Sequence, residues 1–150
     1  MNQKGVTLIE LVATMAILSI LMSGVIPLSQ VTYKRSKEIE LKQNLRVIRN
    51  ALDTYKEMVD QEVIPKQALS SGYPATLDIL VDGVVAKNSG TRKIKFLRRI
   101  PKDPMTKEGK WGLRSYDDNR DSKIWGGQDV YDVYSKSDKK ALDGTSYRDW

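Results

Sequence analysis

The hydrophobic pattern of this chain changes twice along its length. From Val6 to Ile26 the residues are apolar at most positions, and Glu10 is the one charge among them. At about 1.5 Å per residue such a stretch makes a helix about 30 Å long, enough to cross the apolar core of a bilayer. Beyond it, Leu41, Leu45, Ile48, Leu52, Tyr55 and Val59 recur at steps of four and three. That spacing is one face of an amphipathic helix. Lys42, Arg46, Arg49, Asp53, Lys56 and Glu57 fall on its other side. The two patterns join into one predicted helix from about Thr7 to about Asp60. Pro27, with Gly24 just before it, predicts a kink or a locally melted turn rather than an end, because proline removes a donor and crowds the preceding turn.

After Pro65 the helical period stops. Gly72-Tyr73-Pro74 is a turn signal, Thr76 is placed to cap a short helix from Leu77 to Val81, and Gly83 is placed to end it. Asn88-Ser89-Gly90 reads as a loop. Pro101 and Pro104 exclude a central strand from the segment Phe96 to Pro104. Trp111 to Tyr116 and Val130 to Ser135 are the best strands, separated by a polar loop from Asp117 to Gln128. The stretch from Lys136 to Trp150 is polar and is expected to fray unless something ties it down. The pattern gives an α+β chain: a long N-terminal helix, apolar first and amphipathic second, with a small C-terminal antiparallel β-sheet domain. Its divisions are 1–5, a leader; 6–27, an apolar helix; 28–62, an amphipathic helix; and 63–150, a globular domain.

Composition sharpens this picture in three places. Hydrophobic residues make up 40% of the 150, but the first helix takes a large share of them, leaving little for a C-terminal core. Without Cys or His the chain can form no disulfide, no Cys/His zinc site and no His- or Cys-based catalytic pair. No nucleophile–base constellation or phosphate loop is visible, so an enzyme is not expected. The formal charge of +6 is spread over several segments. Its densest run, Arg92, Lys93, Lys95, Arg98, Arg99 and Lys102, lacks the aromatic pattern that base stacking requires. Nucleic acid is therefore not the expected partner.

The start of the chain carries the most specific chemistry. An ordinary secretory signal has an apolar stretch of about 7–15 residues followed by a cleavage site. Here the stretch is longer, and the helical pattern resumes after Pro27-Leu28-Ser29-Gln30. Gly5 is the better processing point; a cut there leaves the apolar helix in place with Val6 as its new N-terminus. Lys4 precedes the stretch, and Lys34, Arg35 and Lys37 follow it, so the positive-inside count leaves the orientation open. Glu10 gains from the helix dipole, yet a carboxylate within an apolar span is costly and normally paired. The amine freed at Val6, in the same chain or a neighbouring one, is the nearest partner such a cut would create.

The run Lys4-Gly5-Val6-Thr7-Leu8-Ile9-Glu10 resembles the type IV prepilin motif. Val6 departs from that motif, whose commonest residue after the glycine is Phe. The resemblance implies cleavage after Gly5 by a prepilin peptidase, N-methylation at Val6, and polymerisation through the N-terminal helix with Glu10 aligning incoming subunits. It also accounts for Pro27, seventeen residues beyond Glu10. The C-terminal part resembles the major pseudopilin of type II secretion. The matching pieces are Tyr73-Pro74, Leu77 to Leu80, Ile100-Pro101-Lys102-Asp103-Pro104, Trp111-Gly112 and Asp132-Val133-Tyr134-Ser135. This implies a type IV pilin-like fold and a structural subunit of a secretion pseudopilus. The implied setting is a bacterial inner membrane, spanned once, with the C-terminal domain in the periplasm. The implied partners are copies of itself in a helical homopolymer, other pseudopilins, the prepilin peptidase and an inner-membrane assembly platform. No cofactor follows from the residues themselves. The resemblance implies calcium, held by Asp138, Asp143 and Asp149, although Lys139-Lys140 intrude on that pattern. Two alternatives stand beside the pseudopilus: a type IV pilus subunit for adhesion or motility, and a DNA-binding pilin of an uptake filament.

Overall fold

The computed structural model describes residues 5–66, 70–87, 90–122 and 124–150, with side chains at all of these except 24–27. Helix α1 runs from Leu8 to Asp60. It is followed by a short helix α2 (Asp78–Asp82), strands β1 (Val84–Val85), β2 (Lys93–Ile94), β3 (Trp111–Arg114) and β4 (Asp132–Ser135), and a closing 3-10 turn, Tyr147–Asp149. β1 pairs with β2 and β3 with β4, both antiparallel. The fold is α+β, a long N-terminal helix with a small domain of antiparallel strand pairs. The chain forms two compact units, Met1–Ser36 and Lys37–Trp150.

In the first unit the apolar side chains of α1 face outward all round, with Leu8 84% and Ile20 72% exposed. Its most apolar 18-residue window has a mean hydropathy of 2.2, and none of it is buried. The few hydroxyls in this stretch bond back to their own helix: Thr14 to Leu11 O, Ser19 to Met15 O, Ser23 to Ile20 O and Thr32 to Leu28 O. They therefore need no outside partner in an apolar medium. The helix does not end at Gly24 or Pro27; the side chains of these two residues lie outside the described set.

The second unit is built on the remainder of α1. Leu41, Ile48 and Leu52 are fully buried, and Leu45 and Val59 nearly so. Leu41, Leu45, Ile48 and Leu52 form one core with Leu80, Trp111, Val130, Val133, Ala141 and Tyr147. The helix ends as Glu62 turns into the left-handed region (φ 57°) and Val63 N–H donates to Met58 O. Helix α2 begins one residue later than the sequence suggests. Leu77, not Thr76, precedes it, and no side chain caps it. Burial of Leu80 positions α2, and Leu80 O accepts from the backbone of both Phe96 and Leu97.

The segment with two prolines is not a strand, and the structure shows what it does. Trp111 Nε1 donates to Pro101 O at 2.7 Å, and Asn44 Nδ2 to Lys102 O at 3.0 Å. Asp103 is buried, accepting from Ser135 Oγ at 2.7 Å and Met105 N at 2.8 Å. A loop without ladder bonds is thus fixed by side chains from α1, β3 and β4. Gly112, opposite Tyr134 in the β3–β4 register, leaves room for that ring. A Cβ at Gly112 would lie 2.2 Å from it. Arg114 covers the same ring, 4.4 Å from its centre.

Candidate functional site

The N-terminal site sits at the first turn of α1. Thr7 stands just before the helix, and its Oγ1 accepts from Glu10 N at 3.3 Å, while Leu11 N donates to Thr7 O at 3.1 Å. This is the start of a capping box, in which a Thr accepts from the residue three positions on and a Glu occupies that position. The Thr7–Glu10 spacing could have revealed the cap in the sequence. Its consequence is that the helix start, and so the height of Glu10 on the helix, is fixed by the chain itself. Val6 is 73% exposed and Glu10 is exposed, with no ion-pair partner among the described residues. Gly5 is exposed, and no atom would obstruct a Cβ there. The segment that a peptidase would have to reach is thus open.

The C-terminal segment is ordered by the protein itself. Tyr147 is buried and donates to Glu38 Oε1 at 2.8 Å; Leu142 N donates to the same oxygen at 2.8 Å. Trp150 packs edge-on against Tyr147 at 5.2 Å, donates to Thr145 Oγ1, and lies beneath Lys42 Nζ at 4.2 Å. Arg49, on the polar side of α1 by periodicity, is half-buried. It donates to Asp132 at 2.7 Å, to Val133 O at 3.2 Å and to Trp150 O at 2.8 Å. The segment, expected to fray unless something ties it down, is tied by the chain's own side chains. Long side chains of α1, which periodicity assigns to solvent, reach across and hold it.

The three aspartates implied for calcium are engaged separately. Asp138 accepts from Arg148 at 2.9 Å. Asp143 Oδ1 accepts from Thr145 Oγ1 at 2.6 Å and Thr145 N at 2.9 Å, and these bonds hold its carboxyl below the usual carboxylate range. Asp149 is exposed. No three acidic residues are gathered to hold a metal among the described residues. Calcium takes about 6–8 oxygens, and this arrangement does not fit it.

Within the basic run, Lys93 and Lys95 flank Ile94 on and beside β2, and Arg98 and Arg99 are exposed. The aromatic among them, Phe96, packs against Tyr55 at 5.3 Å and is partly buried.

With this geometry in place, the comparison with known families is informative at one end of the chain. Residues 1–26 match the family model described as the prokaryotic N-terminal methylation motif, the mark of type IV prepilin-like proteins. Gly5, Val6 and Glu10 fall inside the match. No curated protein and no solved structure matches the chain.

Proposed function

We propose that this chain is a subunit of a type II secretion pseudopilus, cleaved after Gly5, methylated at Val6 and polymerised through α1. One observation carries the reading. A methylation motif opens α1, and the described apolar side chains of its first unit face outward, so burying them takes lipid or other helices. Before assembly the helix resides in a bacterial inner membrane with the second unit in the periplasm; after assembly it lines a filament. The partners are copies of the chain, related subunits, the prepilin peptidase and a membrane assembly platform. The chain itself performs no catalysis.

Glu10 is the assembly residue. A carboxylate within an apolar span is costly to leave unpaired, although Glu10, near the start of the span, costs less than the about 3 kcal/mol of one at its centre. Pairing with the amine of a neighbouring Val6 recovers that cost only in the right axial register. Gly24 and Pro27 are where the helix yields as subunits pack, since proline leaves one backbone carbonyl without its helical donor. Absence of cysteine favours the pseudopilus over pili whose C-terminal loops are closed by a disulfide.

The test is filament yield from Glu10→Ala at matched membrane level, beside the export of folded proteins in a strain lacking the chain. The reading predicts normal insertion, lost filaments and lost export. Unchanged assembly would remove Glu10 from its role. A strain that keeps export and loses motility or DNA uptake would assign the chain to a pilus.

A further inference from the structure

The apolar span of α1 ends in a feature that polymerisation through the helix leaves unexplained. From Leu11 to Tyr33 the sequence carries no charge; Lys34 and Arg35 then follow directly. Tyr33 is 65% exposed, Arg35 is exposed and Lys34 partly so. Neither cation has an ion pair among the described residues. The first acids after them in the chain are Glu38 and Glu40, and from Leu11 to Lys42 four cations stand against these two acids. Glu38 is engaged elsewhere, since one of its oxygens accepts from both Tyr147 and Leu142. The segment is therefore positive after its acidic neighbours in the chain are counted.

The spacing fits a bilayer. The helix begins at Leu8, and the rise from there to Lys34 is about 39 Å at about 1.5 Å per residue. A bilayer with both headgroup layers is about 40–45 Å thick. With Leu8 at one headgroup layer, Tyr33, Lys34 and Arg35 stand at the other. The turn before them mixes exposed Leu28 and Val31 with uncharged Ser29 and Gln30, and the Thr32 hydroxyl is returned to Leu28 O. That is the composition of an interface and not of the apolar centre.

The three side chains suit that level. A tyrosine ring is amphipathic and collects where apolar and polar layers meet. The long stems of Lys and Arg lie along apolar surface while their charged ends reach outward to phosphates. At about 100° per residue the three fan over more than half of the helix circumference, so they form a collar and not a single face. Insertion alone does not account for the cations. Lys and Arg favour the cytoplasmic flank of a span. The orientation proposed above puts Lys34, Arg35 and Lys37 on the opposite flank, with Lys4 alone on the cytoplasmic one until cleavage removes it.

We propose that Lys34 and Arg35, seated by Tyr33, bind the phosphates of anionic phospholipids in the outer leaflet and hold the stored subunit at a fixed depth until it is drawn into a filament. This deepens the membrane-stored reading and rests on it for its setting. Holding Lys34 at one headgroup layer keeps Glu10 within a turn of the other, where a carboxylate is least costly. Basic side chains are drawn to an anionic bilayer surface within a Debye length, so the contact weakens with salt.

The full chain is purified and reconstituted alone in phosphatidylcholine vesicles that carry a trace of spin-labelled phosphatidylglycerol or spin-labelled phosphatidylcholine. The motionally restricted fraction of each label gives the preference of the protein for the anionic lipid. Lys34→Gln with Arg35→Gln should cut that preference by about threefold or more. Lys34→Arg with Arg35→Lys should keep it. Arg98→Gln with Arg99→Gln, which removes the same charge from the second unit, should keep it too. An unchanged preference in Lys34→Gln with Arg35→Gln, or an equal loss in the Arg98 and Arg99 variant, would overturn the proposal. Sodium phosphate in place of sodium chloride at equal ionic strength should leave the parent's preference standing. Its loss in phosphate alone would make the ligand a free anion and overturn the headgroup contact. Filaments in cells from a chain that shows no such preference overturn this contact and leave the filament reading standing. A preference that depends on Lys34 and Arg35, in a chain that forms no filaments, supports the contact and removes the filament reading.

Discussion

Tyr147 donates its hydroxyl to Glu38 Oε1 across 109 residues of sequence, at 2.8 Å. The bond closes the second unit, because Leu142 N uses the same carboxylate oxygen. Glu38→Ala removes the acceptor for both donors. Leaving a buried hydroxyl unpaired costs about 1–3 kcal/mol, so the melting midpoint of a fragment from Val31 onward should drop by several degrees. Equal midpoints for parent and variant would show that the C-terminal segment is held by other contacts.

The same tyrosine predicts an alkaline limit. Burial first, then the hydrogen bond to Glu38 and its charge, hold the Tyr147 hydroxyl above its ordinary value of 10.0. Burial raises Tyr55, and burial with the charge of Asp53 raises Tyr73, in the same direction. The unfolded phenol loses its proton at about pH 10, whereas the folded one retains it. The stabilisation is therefore complete below about pH 10 and is lost as pH rises through the folded value. Midpoints should fall above about pH 10, and fall less steeply in Tyr147→Phe, which keeps the ring and removes the titration. Identical slopes would exclude Tyr147 as a source.

Leu52 is fully buried in the stripe of α1. Leu52→Asp places an unpaired charge in a core of marginal stability. The fragment from Val31 onward should lose its cooperative melting transition. A variant that melts like the parent would mean that the stripe is not covered.

Gly112→Ala tests the close approach of β3 and β4. The added methyl would sit 2.2 Å from the Tyr134 ring, which Arg114 covers from above. Overpacking of this kind costs about 1–3 kcal/mol. Gly112→Ala combined with Tyr134→Ala should lose less than the sum of the two single variants, and strict additivity would contradict the contact.

Calcium and chelator should leave these midpoints in place, since Asp138 and Asp143 are already bonded to Arg148 and Thr145. A midpoint that rises with calcium, and returns to its value with Asp138→Ala, would reverse that conclusion.

The elements set by long periodic patterns were legible in the sequence. The limits of α1 and its buried stripe follow from the spacing of Leu41 to Val59, and the Val133–Tyr134 region from its alternation. The pair β1–β2 was not legible, because Val84–Val85 and Lys93–Ile94 are too short to show a period. Periodicity also misassigned Arg49. It classifies positions by hydropathy, whereas this side chain reaches past the helix edge to a partner far along the chain. At the N-terminus Gly5, Val6 and Glu10 were singled out by their order, by the charge in an apolar span and by the resemblance to the prepilin motif. The Thr7 cap that fixes Glu10 was present in the spacing and became evident from the bond itself.

The central claim, that the chain is a prepilin-like subunit, is tested most directly by the intact mass of protein extracted from membranes. The account predicts loss of Met1 to Gly5, an N-methylated Val6, and a net charge of +5, the 25 cationic residues less Lys4 against 19 acidic ones. A mature N-terminus near Ser29, or an uncut chain in cells that contain the peptidase, would contradict it.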